Sequence, residues 1–160
     1  MKTEFKEIYK DLSPKIYKLC LSYCADRALA DDLHQETWIA VWESLPKFRH
    51  ESQLSTWIYR IAINTCLTGM KKHKDKNLNS EKILSKIVAD ESFDEHQMTI
   101  LQQSIAQLRE ADRIIITLVL EEKPYTEIAE ITGITENNLR VKIHRIKREL
   151  SEIYKKYENL

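Results

Sequence analysis

Glycine and proline are nearly absent, at two and three among 160 residues. That scarcity excludes a fold built on tight hairpin turns, which need both residue types at fixed positions. With Leu, Glu, Lys, Ile and Ala plentiful, it favours helices. No apolar run approaches the length that spans a bilayer, so direct membrane insertion is not expected. The opening MKTEFKEIYKDL is amphipathic and carries acidic residues, which does not fit a signal peptide and points to a cytoplasmic protein. Cysteine is limited to Cys20, Cys24 and Cys66, with no further ligands at metal-binding spacing. Buried reduced thiols are the expectation, with no metal or other cofactor.

An excess of charge of either sign is also missing: 25 basic residues balance 25 acidic ones. The balance is not local. Residues 1–76 carry net +3, residues 77–112 net −4 and residues 113–160 net +1. An acidic middle therefore offsets two flanks able to present basic patches. The 42% hydrophobic and 31% charged content suits a folded helical chain rather than a disordered one.

The expected organisation is all-α: two small helical domains joined by a flexible linker, the second a helix-turn-helix. Residues 1–75 form the first domain and 97–160 the second. The run between them, 76–96, has sparse apolar residues and an acidic end, with a short helix expected at Lys82–Val88.

The C-terminal domain carries the clearest local signals. Pro124 suits a first helical turn. Ile128, Ala129 and Ile131 supply an apolar stripe, and Gly133 can take the left-handed conformation that ends a helix. Thr135 is a good N-cap, Glu136 complements the helix dipole, and Ile134 with Leu139 forms a candidate hydrophobic staple. A short helix, a Gly-containing turn and a second helix make the helix-turn-helix pattern. The second helix is expected to bury Leu139, Ile143, Ile146, Leu150 and Ile153. Its other face carries Asn137, Asn138, Val141, Lys142, His144, Arg145 and Arg148, and Arg140 to Arg148 holds five basic residues and no acidic one. Asn and Arg read base edges in a major groove, Lys neutralises phosphate, and Val141 offers a methyl contact to thymine.

In the N-terminal domain, Ala30–Phe48 is expected to be a long helix closed near Pro46. Its inner stripe is Leu29, Leu33, Thr37, Val41 and Leu45, with Trp38 and Trp42 alongside. Its outer stripe is Asp32, Gln35, Glu36, Ile39 and Glu43, an isoleucine among carboxylates that suits docking on a basic protein surface. A second helix, Ser52–Lys74, is expected to be capped by Ser52. Leu54, Trp57, Ile58, Ile61, Ala62 and Thr65 face inward, and Arg60, Asn64, Leu67 and Lys71 form the other stripe. Cations and an amide beside an aromatic ring suit single-stranded nucleic acid.

The run DDLHQETWIAVWESLPKFRHESQLSTWIYRIAINTCL resembles the extracytoplasmic-function (ECF) sigma factors. Asp32, Leu33, Gln35 and Glu36 match one family element. Phe48, Arg49, Thr56, Trp57, Arg60, Ile61, Ala62 and Asn64 match others. In the C-terminal domain Glu127, Ile128, Ala129, Gly133, Ile134, Ile143, His144 and Arg145 match in turn.

This resemblance implies a factor that directs core RNA polymerase to promoter DNA and helps open the minus-ten region. Asp32, Gln35, Glu36, Ile39 and Glu43 would dock on the β′ clamp, and the second domain on the β flap. Phe48, Arg49, Trp57, Arg60, Asn64, Lys71 and Lys72 would hold the minus-ten strand, with the loop 46–53 receiving a flipped base. Asn137, Asn138, Arg140, Val141, Lys142, His144, Arg145 and Arg148 would read the minus-thirty-five duplex. An anti-sigma protein is a further implied partner, and no small-molecule substrate is implied. The chain departs from the family pattern at Asn138–Lys142, and Gly69 is expected to end the second helix early.

Two other functions compete. A helix-turn-helix regulator with a sensory N-terminal domain would explain the reader helix but not the acidic face of the first domain. A protein-binding adaptor would explain the acidic face but not the basic helix. Enzyme chemistry has no support: no Ser/His/Asp set, phosphate-binding glycine loop or HExxH is present.

Overall fold

The structure, a computed structural model, describes residues 2–73 and 96–159, which form seven helices and no strand. The chain divides into two compact units, Met1–Asn77 and Leu78–Leu160. The expected linker and the Lys82–Val88 helix lie outside the described residues, except that His96 opens the first described helix of the second unit.

The first unit packs three helices pairwise: α1 (Lys2–Cys24), α2 (Arg27–Ser44) and α3 (Leu54–His73). Along α1 the residues Leu12, Ile16, Leu19, Cys20 and Tyr23 are buried, one stripe at helical spacing. Pro14 lies inside this helix and removes one of its backbone hydrogen bonds. Beside it, Ser13 is tied to α2: its hydroxyl and its carbonyl each lie 3.1 Å from His34 Nε2. The Trp38 indole N–H donates to the same nitrogen at 3.1 Å.

Helix α2 starts three residues earlier than the sequence pattern suggests. The reason is Asp26, whose carboxylate accepts from the backbone N–H of Ala28 at 3.0 Å and of Leu29 at 3.4 Å. Its inner stripe is as expected at Leu29, Leu33, Thr37 and Val41, all buried, whereas Leu45 is half-buried. Pro46 falls in a 3-10 turn, Leu45–Lys47, that closes the helix. Trp38 is buried but Trp42 is 47% exposed, so only one of the two tryptophans joins the core.

Helix α3 begins at Leu54, so Gln53 rather than Ser52 precedes its first turn. The Gln53 carbonyl accepts from Trp57 N–H at 3.1 Å and from the Ser52 hydroxyl at 3.4 Å. Its buried stripe is rotated from expectation. Ile58 and Ala62 are inside, but Thr56, Tyr59, Ile63 and Cys66 join them, while Leu54, Trp57, Ile61 and Thr65 are half-buried. Each large apolar side chain fully withdrawn from water contributes roughly 1.5–3 kcal/mol. That rewards turning Tyr59 and Ile63 inward, and Trp57 is left half-buried.

Gly69 does not end α3, which continues to His73. A Cβ at position 69 would run into the end of the Leu33 side chain. A larger residue there would make the Leu33 side chain shift, and the helix tolerates the lower propensity of glycine.

All three thiols are buried, and Cys66 donates to Cys20 Sγ at 3.8 Å. Burial pushes the Cys24 thiol up to about 12, and hydrogen bonding to Cys20 together with burial raises Cys66. At neutral pH the Cys24 and Cys66 thiols stay protonated.

The second unit contains α4 (His96–Ala106), α5 (Glu110–Leu120), α6 (Tyr125–Thr132) and α7 (Glu136–Glu158). Helix α5 is its centre. Ile114, Ile115, Ile116, Thr117 and Leu118 are all buried, so this helix is enclosed on nearly every side. Helices α4 and α6 pack on both α5 and α7. They contribute buried Ile100, Ser104 and Ile105 from the first, and Ile128 and Ile131 from the second. Ala129 is half-buried. Pro124 occupies the N-cap of α6 rather than its first turn, and its carbonyl accepts from Glu127 N–H and Ile128 N–H, each at 3.0 Å.

Candidate nucleic-acid interface and docking face

Helices α6 and α7 form the expected helix-turn-helix. Gly133 takes φ +76° and its N–H donates to the Ala129 carbonyl at 2.9 Å, closing α6. The Thr132 hydroxyl donates to the Ile128 carbonyl at 2.8 Å and accepts from Ile134 N–H at 3.4 Å, bracing the turn. Thr135 caps α7, accepting from Asn138 N–H at 3.4 Å.

On α7 the buried stripe is Leu139, Ile143, Ile146 and Leu150, and Ile153 is half-buried near its end. Asn137, Asn138, Arg140, Val141, Lys142, His144, Arg145 and Arg148 are all exposed. Val141 is 72% exposed, an apolar side chain in the middle of a cationic face. Arg140 pairs weakly with Glu136, one turn back, at 3.8 Å. An exposed pair of this kind contributes at most a few tenths of a kcal/mol, so Arg140 can exchange it for phosphate.

Arg145 differs from its neighbours. Its Nη2 donates to both carboxylate oxygens of Asp112, each at 3.2 Å, and its Nη1 donates to Glu149 at 3.4 Å. Sequence reasoning treated this arginine as an unattached DNA contact and gave Asp112 no role. The two residues are 33 positions apart on different helices.

In the first unit, Asp32, Gln35, Glu36, Ile39 and Glu43 are all exposed on one side of α2. Ile39 is 58% exposed among these carboxylates. Trp42, three positions on, lies beside it on the helix surface and packs edge-on against Phe5 at 4.9 Å between ring centroids. The exposed face therefore has an aromatic flank that the sequence reading placed inside.

The loop after the 3-10 turn gathers an aromatic row. Phe48 lies 4.9 Å from the Trp57 ring and 4.6 Å from the His50 ring. His50 takes φ +58°, a conformation that non-glycine residues seldom adopt. A concavity of about 530 Å³ opens here, lined by Ile8, Pro46, Phe48, His50, Ser52 and Gln53 among others. Arg49, Arg60 and Asn64 are exposed, and Trp57 is half-buried. The side chains of Lys71 and Lys72, in the last turn of α3, lie outside the described residues.

Glu36 and Asn64 border one shallow depression of about 380 Å³ between α2 and α3. The face expected to meet polymerase and the face expected to meet the minus-ten strand thus adjoin. Sequence reasoning included His50 only as part of the loop 46–53, without singling it out, and missed Ile8 in the concavity. A histidine two residues past Phe48 was a weak signal for the first, and nothing in α1 signalled the second. No group of His, Cys, Asp and Glu able to hold a metal occurs among the described residues. Nor is any described helix long and apolar enough to cross a membrane.

Two family models match the chain. The one described as Sigma-70 region 2 covers residues 8–76, and the one described as Sigma-70, region 4 covers residues 98–150. The ECF RNA polymerase sigma factor SigW of Bacillus subtilis is 33% identical over 154 residues, spanning 87% of this chain and 81% of the relative. SigM of the same organism is 27% identical over 158 residues, spanning 96% of each. Among solved structures, the sigma factor RpoE bound to the anti-sigma factor NepR, from Bartonella quintana, superposes with a TM-score of 0.75 at 19% identity. That match covers 95% of this chain and 97% of the other. CnrH in complex with the cytosolic domain of CnrY gives a TM-score of 0.71 at 16% identity, covering 96% of this chain and 88% of the other.

Proposed function

The chain belongs to the ECF sigma factor family and directs RNA polymerase to promoters, and from that premise we propose how its surfaces divide the work. The outer face of α2, Asp32, Gln35, Glu36, Ile39 and Glu43, docks on a basic coiled coil of the polymerase β′ clamp. The loop 46–53 with Trp57, Arg60 and Asn64, and Lys71 and Lys72 further along α3, holds the unpaired minus-ten strand. Helix α7 enters the minus-thirty-five major groove, and the second unit also touches the β flap.

One observation carries this division. The two most exposed large apolar side chains among the described residues, Ile39 and Val141, stand on oppositely charged faces. Each charge sign selects its partner, and each apolar centre adds favourable burial of apolar surface at the middle of the contact. Opening of the duplex follows from selective binding: unpaired bases meet the Trp57–Phe48–His50 row and phosphates meet Arg49 and Arg60, which offsets lost stacking. A regulator with a sensory N-terminal domain leaves the match to region 2 unexplained. The protein acts in the cytoplasm, without cofactor or catalytic chemistry of its own. Likeness to sigma factors solved with anti-sigma partners supports control by such a protein.

The minus-ten assignment is tested by replacing Arg60 and Asn64 together with alanine. Permanganate reactivity of unpaired thymines in the promoter complex is expected to fall by about tenfold or more, since each lost strand contact costs on the order of 1 kcal/mol. The fold is expected to hold, because both side chains are exposed, and so is binding to core polymerase, because neither belongs to the outer face of α2. Undiminished permanganate reactivity overturns the assignment of α3.

A further inference from the structure

Arg145 stands in the middle of the α7 reader face, yet it is gripped from behind by another element. Asp112 lies in the first turn of α5, and its side chain is only 5% exposed, against 46% for Arg145. A carboxylate withdrawn from water to that extent requires a charged or hydrogen-bonding partner. Both of its oxygens take the same guanidinium nitrogen at 3.2 Å. The position also suits a carboxylate electrostatically, since the first turn of α5 is the positive end of that helix dipole.

Two consequences follow for a side chain that faces DNA. An arginine on an open helix face is mobile, and ordering it on binding costs entropy; one already held in place loses less per hydrogen bond made. In addition, Asp112 and Glu149 together more than offset the single charge of Arg145, so this residue adds little to the general attraction for phosphate. Arg140, Lys142, Lys147 and Arg148 supply that attraction. Almost half of the Arg145 side chain remains accessible, which leaves it free to present donors to a base edge.

We propose that Asp112 is a positioning residue for promoter recognition: it fixes the Arg145 guanidinium so that this arginine discriminates sequence rather than merely attracting DNA. The proposal rests on α7 being the duplex-reading helix. It gives Asp112 a signature that a purely structural residue lacks. Removing its charge should leave attraction for any duplex unchanged or stronger, while discrimination between sequences falls. Loss of fold would lower both.

The test uses the full-length chain and duplexes selected by it from a randomised library, with a shuffled duplex as reference. For Asp112→Asn, the ratio of affinities for selected over shuffled duplex is expected to drop about tenfold, the cost of one well-placed base contact. Affinity for the shuffled duplex is expected to equal or exceed that of the unaltered chain. In an Arg145→Ala background, adding Asp112→Asn is expected to leave the ratio where it is and to raise the unfolding temperature, because the buried carboxylate no longer lacks its partner.

If Asp112→Asn loses its fold, Arg145→Lys answers the same question at an exposed position. It keeps the charge and gives up the planar fork, so the ratio should fall with the thermal midpoint retained. A ratio unchanged in Asp112→Asn or Arg145→Lys overturns the proposal alone. Equal drops from Asp112→Asn with and without Arg145 also overturn it. Selection of no common sequence by the unaltered chain overturns the assignment of α7 itself, and the proposal with it.

Discussion

Ile39→Lys is expected to weaken binding to core polymerase about thirtyfold or more, while leaving thermal unfolding of the chain unchanged. The fold should not notice the substitution, because Ile39 is 58% exposed and contributes little to the core between α1, α2 and α3. The interface should notice it strongly. An apolar anchor ringed by Asp32, Gln35, Glu36 and Glu43 is the kind of central residue whose loss costs 2 kcal/mol or more, roughly thirtyfold in affinity. The lysine also places a positive charge where the surrounding carboxylates select for a basic partner, adding repulsion to the lost contact. Fluorescence anisotropy of the labelled chain titrated with core enzyme measures it. Unchanged affinity would remove the outer face of α2 from the docking surface.

The largest effect on the second unit is expected from Leu139→Ala. Leu139 is fully buried at the start of α7, where the recognition helix meets the body of the unit. Truncating a leucine in such a site costs about 2–5 kcal/mol, part from lost transfer energy and part from the cavity left behind. That is a large share of the roughly 5–15 kcal/mol that stabilises a whole domain. Because the chain comprises two compact units, the loss should be confined to one of them. Hydrogen exchange is expected to show α4 to α7 losing protection, α1 to α3 keeping theirs, and minus-thirty-five duplex binding disappearing. Loss of protection in α1 to α3 to the same degree would contradict independent stability of the units.

Much of this architecture was legible in the residue order, for identifiable reasons. Helix α7 is long and amphipathic, with Leu139, Ile143, Ile146 and Leu150 in register, and Thr135 and Gly133 mark its approach. The outer face of α2 was legible because Asp32, Glu36, Ile39 and Glu43 share one side of a helix whose other side is plainly apolar. What escaped had no local signature. Asp112, buried in the first turn of α5, finds its partner 33 residues away on another helix. Gly69 looked like a helix end because glycine is a poor helix former; in the structure it lies inside α3, against Leu33 of α2. The α3 stripe was misjudged by part of a turn because Trp57 was weighted as core, whereas its ring joins Phe48 and His50 in a partly exposed row. Trp42 was misjudged likewise: its ring finds Phe5 near the start of α1, a contact between helices that spacing within α2 cannot reveal.

The central claim is that the two most exposed large apolar residues, Ile39 and Val141, mark two different partners. Site-specific photo-crosslinking tests it most directly. A benzophenone amino acid is placed at position 39 in one sample and at position 141 in another, each is assembled with core polymerase on a promoter, and the adducts are identified. The account predicts that position 39 labels the β′ clamp and that position 141 labels duplex DNA in the minus-thirty-five region. Position 39 labelling DNA, or position 141 labelling only polymerase, would contradict it.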